Sequence, residues 1–284
     1  MTTDTSGARP GAAPFAVVLG GGGVAAIAWE TGLALGLAEG GVNLGDAELL
    51  VGTSAGSVVA TQIACGRTLR DLFAEQVDAS STLEPVIDMD LGALRQELDA
   101  IRTGSADPVE VLRGIGAVAL RADRVPEKVR RAQVAARLLA GEWPHRALLV
   151  TAVDAVTGDF TVFTRASGVD LVDAVAASCA VPGVWPAVTI GGRRYMDGGM
   201  RSGVNADLAV GHRRVVVVEA AELAETADVK ELGPESQVFR ITPDEASGVA
   251  RGANPLDPAV RPACARAGHA QGLQLAARLR AWLS

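Results

Sequence analysis

The sequence predicts an α/β fold that opens with a pair of parallel strands. Three observations carry that prediction. Short continuous apolar runs are each followed by a glycine-bearing turn and then by residues of helical period. One long interior stretch, residues 67 to 145, loses every strand pattern and reads as successive helices. Strand pairs bounded by Gly turns then return. Apolar runs of this length without polar alternation suit strands buried on both faces of a parallel sheet.

Ala16 to Leu19 is the first such run, and Gly20 to Gly23 follow it. From Val24 to Glu39 apolar residues recur at helical spacing (Ile27, Leu33, Leu37), and Gly40-Gly41 ends the pattern. Glu48 to Val51 is the second strand. It leads through Gly52-Thr53-Ser54-Ala55-Gly56 into a helix from Ser57 to Ala64, so the chain opens as a β-α-β unit. Within 67–145, Leu91, Leu94, Leu98 and Ile101 form one apolar stripe. Asp107-Pro108-Val109-Glu110 reads as an N-cap, a proline in the first turn and a capping-box acid. Val129 to Leu139 reads as a further helix, rich in Arg and Ala. This stretch is either a helical insert capping the site or an ordinary helical layer, and Val86, Ile87 and Met89 are candidate acyl-chain contacts. Ala147 to Val153 and Phe160 to Thr164 flank Thr157-Gly158 as a hairpin. Val169 to Ala177 is a short helix, and Val188 to Ile190 pairs with Arg193 to Met196 across Gly191-Gly192. Arg214 to Glu219 and Val238 to Ile241 are buried-type strands. Asp257 to Leu283 is a terminal helical region, with Leu273, Leu275, Ala276 and Leu279 on its apolar side. No repeat or linker divides the chain, so residues 15–284 are expected to form one domain behind a flexible tail, 1–14, rich in Thr, Ser, Gly, Ala and Pro.

Of 284 residues, 49% are hydrophobic but only 4% aromatic, so a large core must be built from Ala, Val and Leu. A formal net charge of −7 argues against a nucleic-acid partner and against recruitment to anionic membranes by charge alone. Cys65, Cys179 and Cys264 are odd in number and far apart, as reduced core residues would be. No apolar run reaches membrane-spanning length, and the tail lacks the apolar stretch of a signal peptide. A cytoplasmic protein is expected.

The chemistry concentrates in three glycine-flanked motifs. Gly52-Thr53-Ser54-Ala55-Gly56 has the Gly-x-Ser-x-Gly form of a nucleophile elbow. Its strained turn projects the Ser54 hydroxyl from the strand end, beside a helix N-terminus that favours developing negative charge. Gly52 and Gly56 lack the Cβ that would keep strand and helix apart. The loop Gly20 to Gly23 almost fits a dinucleotide fingerprint, but the second strand ends in Gly52-Thr53-Ser54 and not in the acid that would hold ribose. No Gly-Lys-Ser/Thr follows it for a phosphate loop. Its better use is an oxyanion hole, with the N–H groups of Gly21, Gly22 and Gly23 turned to one point. Asp197-Gly198-Gly199 leaves its strand as a turn that other backbone can approach closely. No cluster has metal-ligand spacing, and no cofactor is expected.

Taken in order, Gly20-Gly21-Gly22-Gly23, Gly52-Thr53-Ser54-Ala55-Gly56 and Asp197-Gly198-Gly199 resemble the patatin-like phospholipases, a family of serine acyl hydrolases. So does the supporting segment Ala177-Ser178-Cys179-Ala180-Val181-Pro182-Gly183, and the likeness spans about residues 15 to 210. The resemblance implies a three-layer α/β/α sandwich with a mainly parallel central sheet. It implies Ser54 as nucleophile, Asp197 as its partner in a dyad, and the glycine loop as oxyanion hole. Gly198 and Gly199 would support the acid. The substrate would be a lipid or another acyl ester, met in transient contact with a membrane surface. The family's glycine loop usually continues with a basic residue and a glycine. Here Ala25 and Ala26 stand there, which bears on phospholipid preference more than on ester hydrolysis. Two other readings stay open. One is a Ser-Asp-His α/β hydrolase using His212 or His269. The other is a weakly active scaffold that binds acyl chains or a partner.

Overall fold

The computed structural model describes residues 14–78, 80, 89–122, 124–221 and 227–284. The expected tail therefore lies outside the described residues, Pro14 excepted, as do Val86 and Ile87. The first strand, β1 (Ala16–Leu19), is followed by α1 (Gly23–Glu39), β2 (Leu49–Gly52) and α2 (Ala55–Ala64). The interior stretch holds α3 (Leu69–Val77), α4 (Leu91–Gly104), α5 (Pro108–Leu120) and α6 (Glu127–Leu138). Next come β3 (Ala147–Asp154), β4 (Phe160–Phe163), α7 (Leu171–Ser178), β5 (Val188–Ile190) and β6 (Arg193–Asp197). The chain closes with β7 (Arg214–Val218), α8 (Ala227–Lys230), β8 (Gln237–Ile241), α9 (Glu245–Arg251) and α10 (Arg261–Leu283).

One eight-stranded sheet runs in the order β5-β6-β3-β2-β1-β7-β8, with β4 paired to β3 off this path. The five strands from β3 to β8 are parallel, while β4, β5 and β6 join antiparallel. The inner parallel strands β1, β2 and β7 are apolar on both faces because both faces are covered. Val17, Leu19, Val216 and Val218 pack with α1, α2, α7 and α10 on one side. Ala16, Val18, Val215 and Val217 pack with Val204, Ala206, Ala209 and Leu232 on the other. At the β6 end a separate cluster joins Leu98 of α4 and Ile115 of α5 to Val153 and Met196. The result is the expected α/β sandwich around a mainly parallel sheet. The stretch 67–145 divides between its layers: Leu69, Phe73, Val134 and Leu138 of α3 and α6 join the main helical layer, and α4 with α5 covers the opposite face. At the start of α5, Asp107 accepts the Val109 N–H at 2.9 Å, but Glu110 takes the Ser105 hydroxyl instead of closing a capping box.

α10 matches the reading of its sequence at Leu275, Ala276 and Leu279 and departs from it at Leu273. Leu273 is 46% exposed, and the buried side is Cys264, Ala265, Gly268, Gly272, Ala276 and Leu279. The cause is the close approach of α1. A Cβ on Gly268 would strike the Trp29 carbonyl, and one on Gly272 the Leu33 carbonyl. Reciprocally, Cβ atoms on Gly32 and Gly36 would strike the carbonyls of Ala265 and His269. Contact at this range selects the smallest residues and not the most apolar ones. Trp29 locks the pair by donating its indole N–H to Ser247 Oγ and Gln271 Oε1, each at 3.0 Å.

The pairings of β3 set the geometry of everything that follows. β4 pairs with Val150 to Val153, β2 with Ala147 to Val150, and β6 with Ala152 to Asp154. A residue has one partner on each edge, so sharing Val150 sets β2 opposite β4, and sharing Ala152 and Val153 sets β6 opposite β4. Strands β2 and β6 therefore lie end to end along the same edge of β3. Gly52 faces Val150 and Asp197 faces Ala152, two residues or about 7 Å apart along the strand.

Forcing α1 and α10 apart should be costly. Gly272→Val is expected to lower unfolding free energy by at least about 2 kcal/mol in urea titrations, since overpacking outweighs the gain in helix propensity. Leu273→Ala, on the exposed side, should stay within about 0.5 kcal/mol of the parent.

Candidate active site

Ser54 sits where β2 turns into α2, with φ 52° and ψ −119°, a conformation that costs a non-glycine residue about 1–3 kcal/mol. Its surroundings hold it there. The Ser54 N–H donates to Ser178 Oγ at 2.9 Å, and its carbonyl accepts from Ser57 Oγ at 2.6 Å and Cys179 Sγ at 3.2 Å. Burial, with the Asp197 charge adding to it, pushes the Cys179 thiol up to about 12, so it stays protonated and able to donate. Gly56 packs against the carbonyl of Leu19, and Gly52 against the backbone of Ser57, at ranges that leave no room for a Cβ. Ser178 and Cys179 close α7, from the segment already noted beside the three motifs.

Because β2 and β6 meet end to end, the Ser54 hydroxyl donates to Asp197 Oδ2 at 2.6 Å, across 143 residues of sequence. The other carboxylate oxygen, Oδ1, accepts the Gly199 N–H at 2.7 Å. Gly198 lies against Thr151, where any Cβ would clash. Asp197 is 2% exposed, and that burial raises its carboxyl to about 7, against the opposing pull of the Ser54 and Gly199 hydrogen bonds.

A residue that sequence reasoning missed ties the two turns together. Asn205, fully buried and left-handed at φ 55°, donates from Nδ2 to the Ser202 carbonyl at 2.9 Å and to Thr53 Oγ1 at 3.0 Å. Thr53 Oγ1 also receives the Thr151 hydroxyl at 3.0 Å. Arg201, bidentate on Asp207, bonds Asn205 Oδ1 at 2.9 Å and fixes the amide's orientation. The only local signal was an asparagine able to take a left-handed conformation.

The glycine loop lies over Ser54, with one correction to its expected role. The Gly21 N–H donates to the Gly203 carbonyl at 2.8 Å, so it is not available to an oxyanion. Gly21 serves as a spacer: a Cβ there would crowd Ser54 Cβ at 3.3 Å. Among the described residues no acceptor takes the N–H of Gly22 or Gly23. Gly22, at φ 150°, holds a conformation that side chains rarely adopt, and a Cβ there would meet Ala26 Cβ at 2.8 Å.

Ser54, Asp197 and these glycines share a cavity of about 460 Å³ whose other walls include Leu94, Val184, Met200 and Leu256. Met89, the described member of the suggested acyl-chain contacts, lines a different surface cleft beside Arg121 and Arg124. Among the described residues no histidine lines the cavity. His145 contacts Arg165, His212 the Ala209 carbonyl, and His269 the Glu39 carboxylate.

The Patatin-like phospholipase family model matches residues 17–210. No curated protein matches the sequence. Among solved structures, VipD from Legionella pneumophila aligns over 95% of this chain and 67% of its own, with 12% identity and a TM-score of 0.48. The type III effector protein ExoU aligns over 94% of this chain, with 18% identity and a TM-score of 0.40. This chain spans about half of ExoU, 54%.

The buried acid has a measurable cost. A carboxyl raised from 3.8 to about 7 binds its proton more tightly in the native state than in the unfolded one. Stability then falls as pH rises between those two values, and the full penalty is present above the upper one. Asp197→Asn should therefore melt several degrees higher than the parent at pH 8, with the gap closing towards pH 4. Calorimetry across that range checks the sign.

Proposed function

Because the chain belongs to the patatin-like phospholipase family, we propose that it cleaves carboxylic esters of lipids through a Ser54 acyl-enzyme with Asp197 as base. Family membership supports lipid ester hydrolysis as such. The single observation that supports this mechanism is the 2.6 Å hydrogen bond from Ser54 Oγ to a buried Asp197 carboxylate. In the first step the Ser54 oxygen attacks the ester carbonyl while its proton passes to Asp197 Oδ2. The tetrahedral oxyanion is met by the Gly22 and Gly23 N–H groups at the start of α1, each such donor contributing about 3–4 kcal/mol. Asp197 then returns the proton to the departing alcohol. In the second step water, deprotonated by Asp197, attacks the acyl carbonyl, and Asp197 passes that proton to the departing Ser54 oxygen, which releases the carboxylic acid and restores the hydroxyl.

A carboxylate in water is a weak base for an alcohol. Burial changes this, because a base works best when its pKa lies near the working pH, and Asp197 sits at about 7. The apolar cavity walls suit an acyl chain. The triad alternative lacks support, since His212 and His269 are engaged elsewhere. A purely binding scaffold would have no use for a strained serine held against a buried acid.

The test is turnover of a short-chain nitrophenyl ester, with circular dichroism to check folding. Ser54→Ala and Asp197→Asn should each lower kcat by at least about a thousandfold, and the double variant should be no worse than either single, as for groups acting as a unit. His212→Ala and His269→Ala should stay within a few-fold of the parent. In the parent, kcat/KM should rise with pH through about 7, because the base must be ionised to accept the proton. A histidine variant as inactive as Ser54→Ala, beside an active Asp197→Asn, would sink the dyad.

The oxyanion role has its own check. Gly22→Val, whose side chain would displace Ala26, should abolish turnover while leaving the fold intact. Near-parental activity in the folded variant would remove the loop from the mechanism.

A further inference from the structure

We propose that Leu94 of α4 is the partition that closes the acyl end of the active-site cavity, and so sets the length of chain that the site accepts. The proposal rests on the hydrolase reading above. Two spaces lie beside α4. The inner one is the cavity of about 460 Å³ that holds Ser54 and Asp197. The outer one is a surface cleft of about 610 Å³, lined by Met89, Ala93, Val118 and Ala122 among others. Among the described residues Leu94 alone lines both.

The helical period puts it there. Leu91, Arg95 and Arg102 recur at whole turns and line the inner cavity, while Ala93 and Glu97, one turn apart, line the outer cleft. Leu94, Leu98 and Ile101 run between these two faces as a seam packed with α5. Farther along, the seam is shut. Leu98 is buried, and Ile101 sits so near Gly114 that a Cβ there would meet Ile101 Cγ2 at 2.7 Å. At Leu94 the seam is one side chain thick. Opposite lies Gly183, where a Cβ would meet Leu94 Cδ1 at 2.6 Å and Val118 Cγ1 at 3.4 Å. Gly183 lines the outer cleft, while Val181 and Val184 line the inner cavity, so this segment also divides the two spaces. With no side chain at 183, Leu94 fills the gap. The start of the helix fixes its position. Asp90 accepts the Ala93 N–H on its side chain at 2.9 Å and the Leu94 N–H on its carbonyl at 3.2 Å.

Size gives the consequence. A water in the liquid occupies about 30 Å³ and a methylene about as much, so the inner cavity holds roughly fifteen non-hydrogen atoms. An ester group with an acyl chain of about twelve carbons fills it. The outer cleft would add room for roughly twenty atoms more. Met89, Val118 and Ala122 offer a chain apolar wall there, and Glu97 and Arg121 are already paired with each other at 2.6 Å. Each methylene that is buried raises affinity about fourfold. The end of the cavity therefore shows as a break in the dependence on chain length.

The experiment measures kcat/KM for nitrophenyl esters of eight to sixteen carbons, each kept below the concentration at which it aggregates. It uses the parent, Leu94→Ala, Ala93→Trp and the double variant. In the parent, kcat/KM should rise to about twelve carbons and then stop rising. In Leu94→Ala it should keep rising, so that the ratio of the sixteen- to the twelve-carbon ester grows at least about tenfold over the parent's. Ala93→Trp, which fills the cleft from its own side, should leave the parent profile unchanged and cancel that gain in the double variant. An unchanged ratio in folded Leu94→Ala overturns the partition. A gain that survives Ala93→Trp overturns the passage into the outer cleft. Leu94→Phe tests the opposite direction with the seam still filled: the break should move to shorter chains, and an unmoved break overturns the partition. A second readout needs no turnover. Saturated fatty acids of the same lengths are titrated calorimetrically into Ser54→Ala and into Ser54→Ala/Leu94→Ala. The break in affinity should move from about twelve carbons to longer chains when the leucine is truncated. That shift without ester turnover in the parent would remove the hydrolase reading and leave the partition standing. No shift in either series overturns the partition.

Discussion

The end-to-end meeting of β2 and β6 on one edge of β3 is the constraint on which the site depends. A strand edge offers its hydrogen bonds in sequence, so two strands that share it must stop where the other begins. Here both stops are turns. Gly52 and Asp197 face residues two apart on β3, and the 2.6 Å contact between Ser54 and Asp197 follows from that register. The Thr53–Thr151–Asn205 cluster fills the gap between the turns with hydrogen bonds, so that neither turn can shift alone.

That same junction is buried, and burial sets its chemistry. Burial holds the Asp197 proton to about pH 7 and keeps the Cys179 thiol protonated to about 12. One low-dielectric environment thus turns a carboxyl into a base matched to neutral pH and turns a neighbouring thiol into an inert hydrogen-bond donor. The strained Ser54 backbone is held by hydrogen bonds to the side chains of Ser178, Ser57 and Cys179.

Much of this was legible in the chain because it rests on local backbone demands. A serine in a left-handed turn between a buried strand and a helix needs small neighbours, and Gly52 and Gly56 announce it. An acid that must approach another strand's backbone needs a residue without a side chain, and Gly198 announces that. Continuous apolar runs such as Val215 to Val218 could only be strands covered on both faces. These signals lie within a few residues of the feature they encode.

What only the tertiary structure decided depends on partners far away in sequence. Gly21 looked like its neighbours in the loop, but a carbonyl at Gly203 takes its amide and leaves the donors to Gly22 and Gly23. Leu273 belonged to an apolar pattern, yet the buried side of α10 is chosen by how near α1 comes, and nearness favours Gly268 and Gly272. Asn205 carried no motif, since a buried polar group is defined by the groups that meet it. Local sequence therefore determined which turns can form, through the conformations each residue allows. Which side chains meet at those turns was decided by strand register and helix packing, which act between residues that the chain itself keeps far apart.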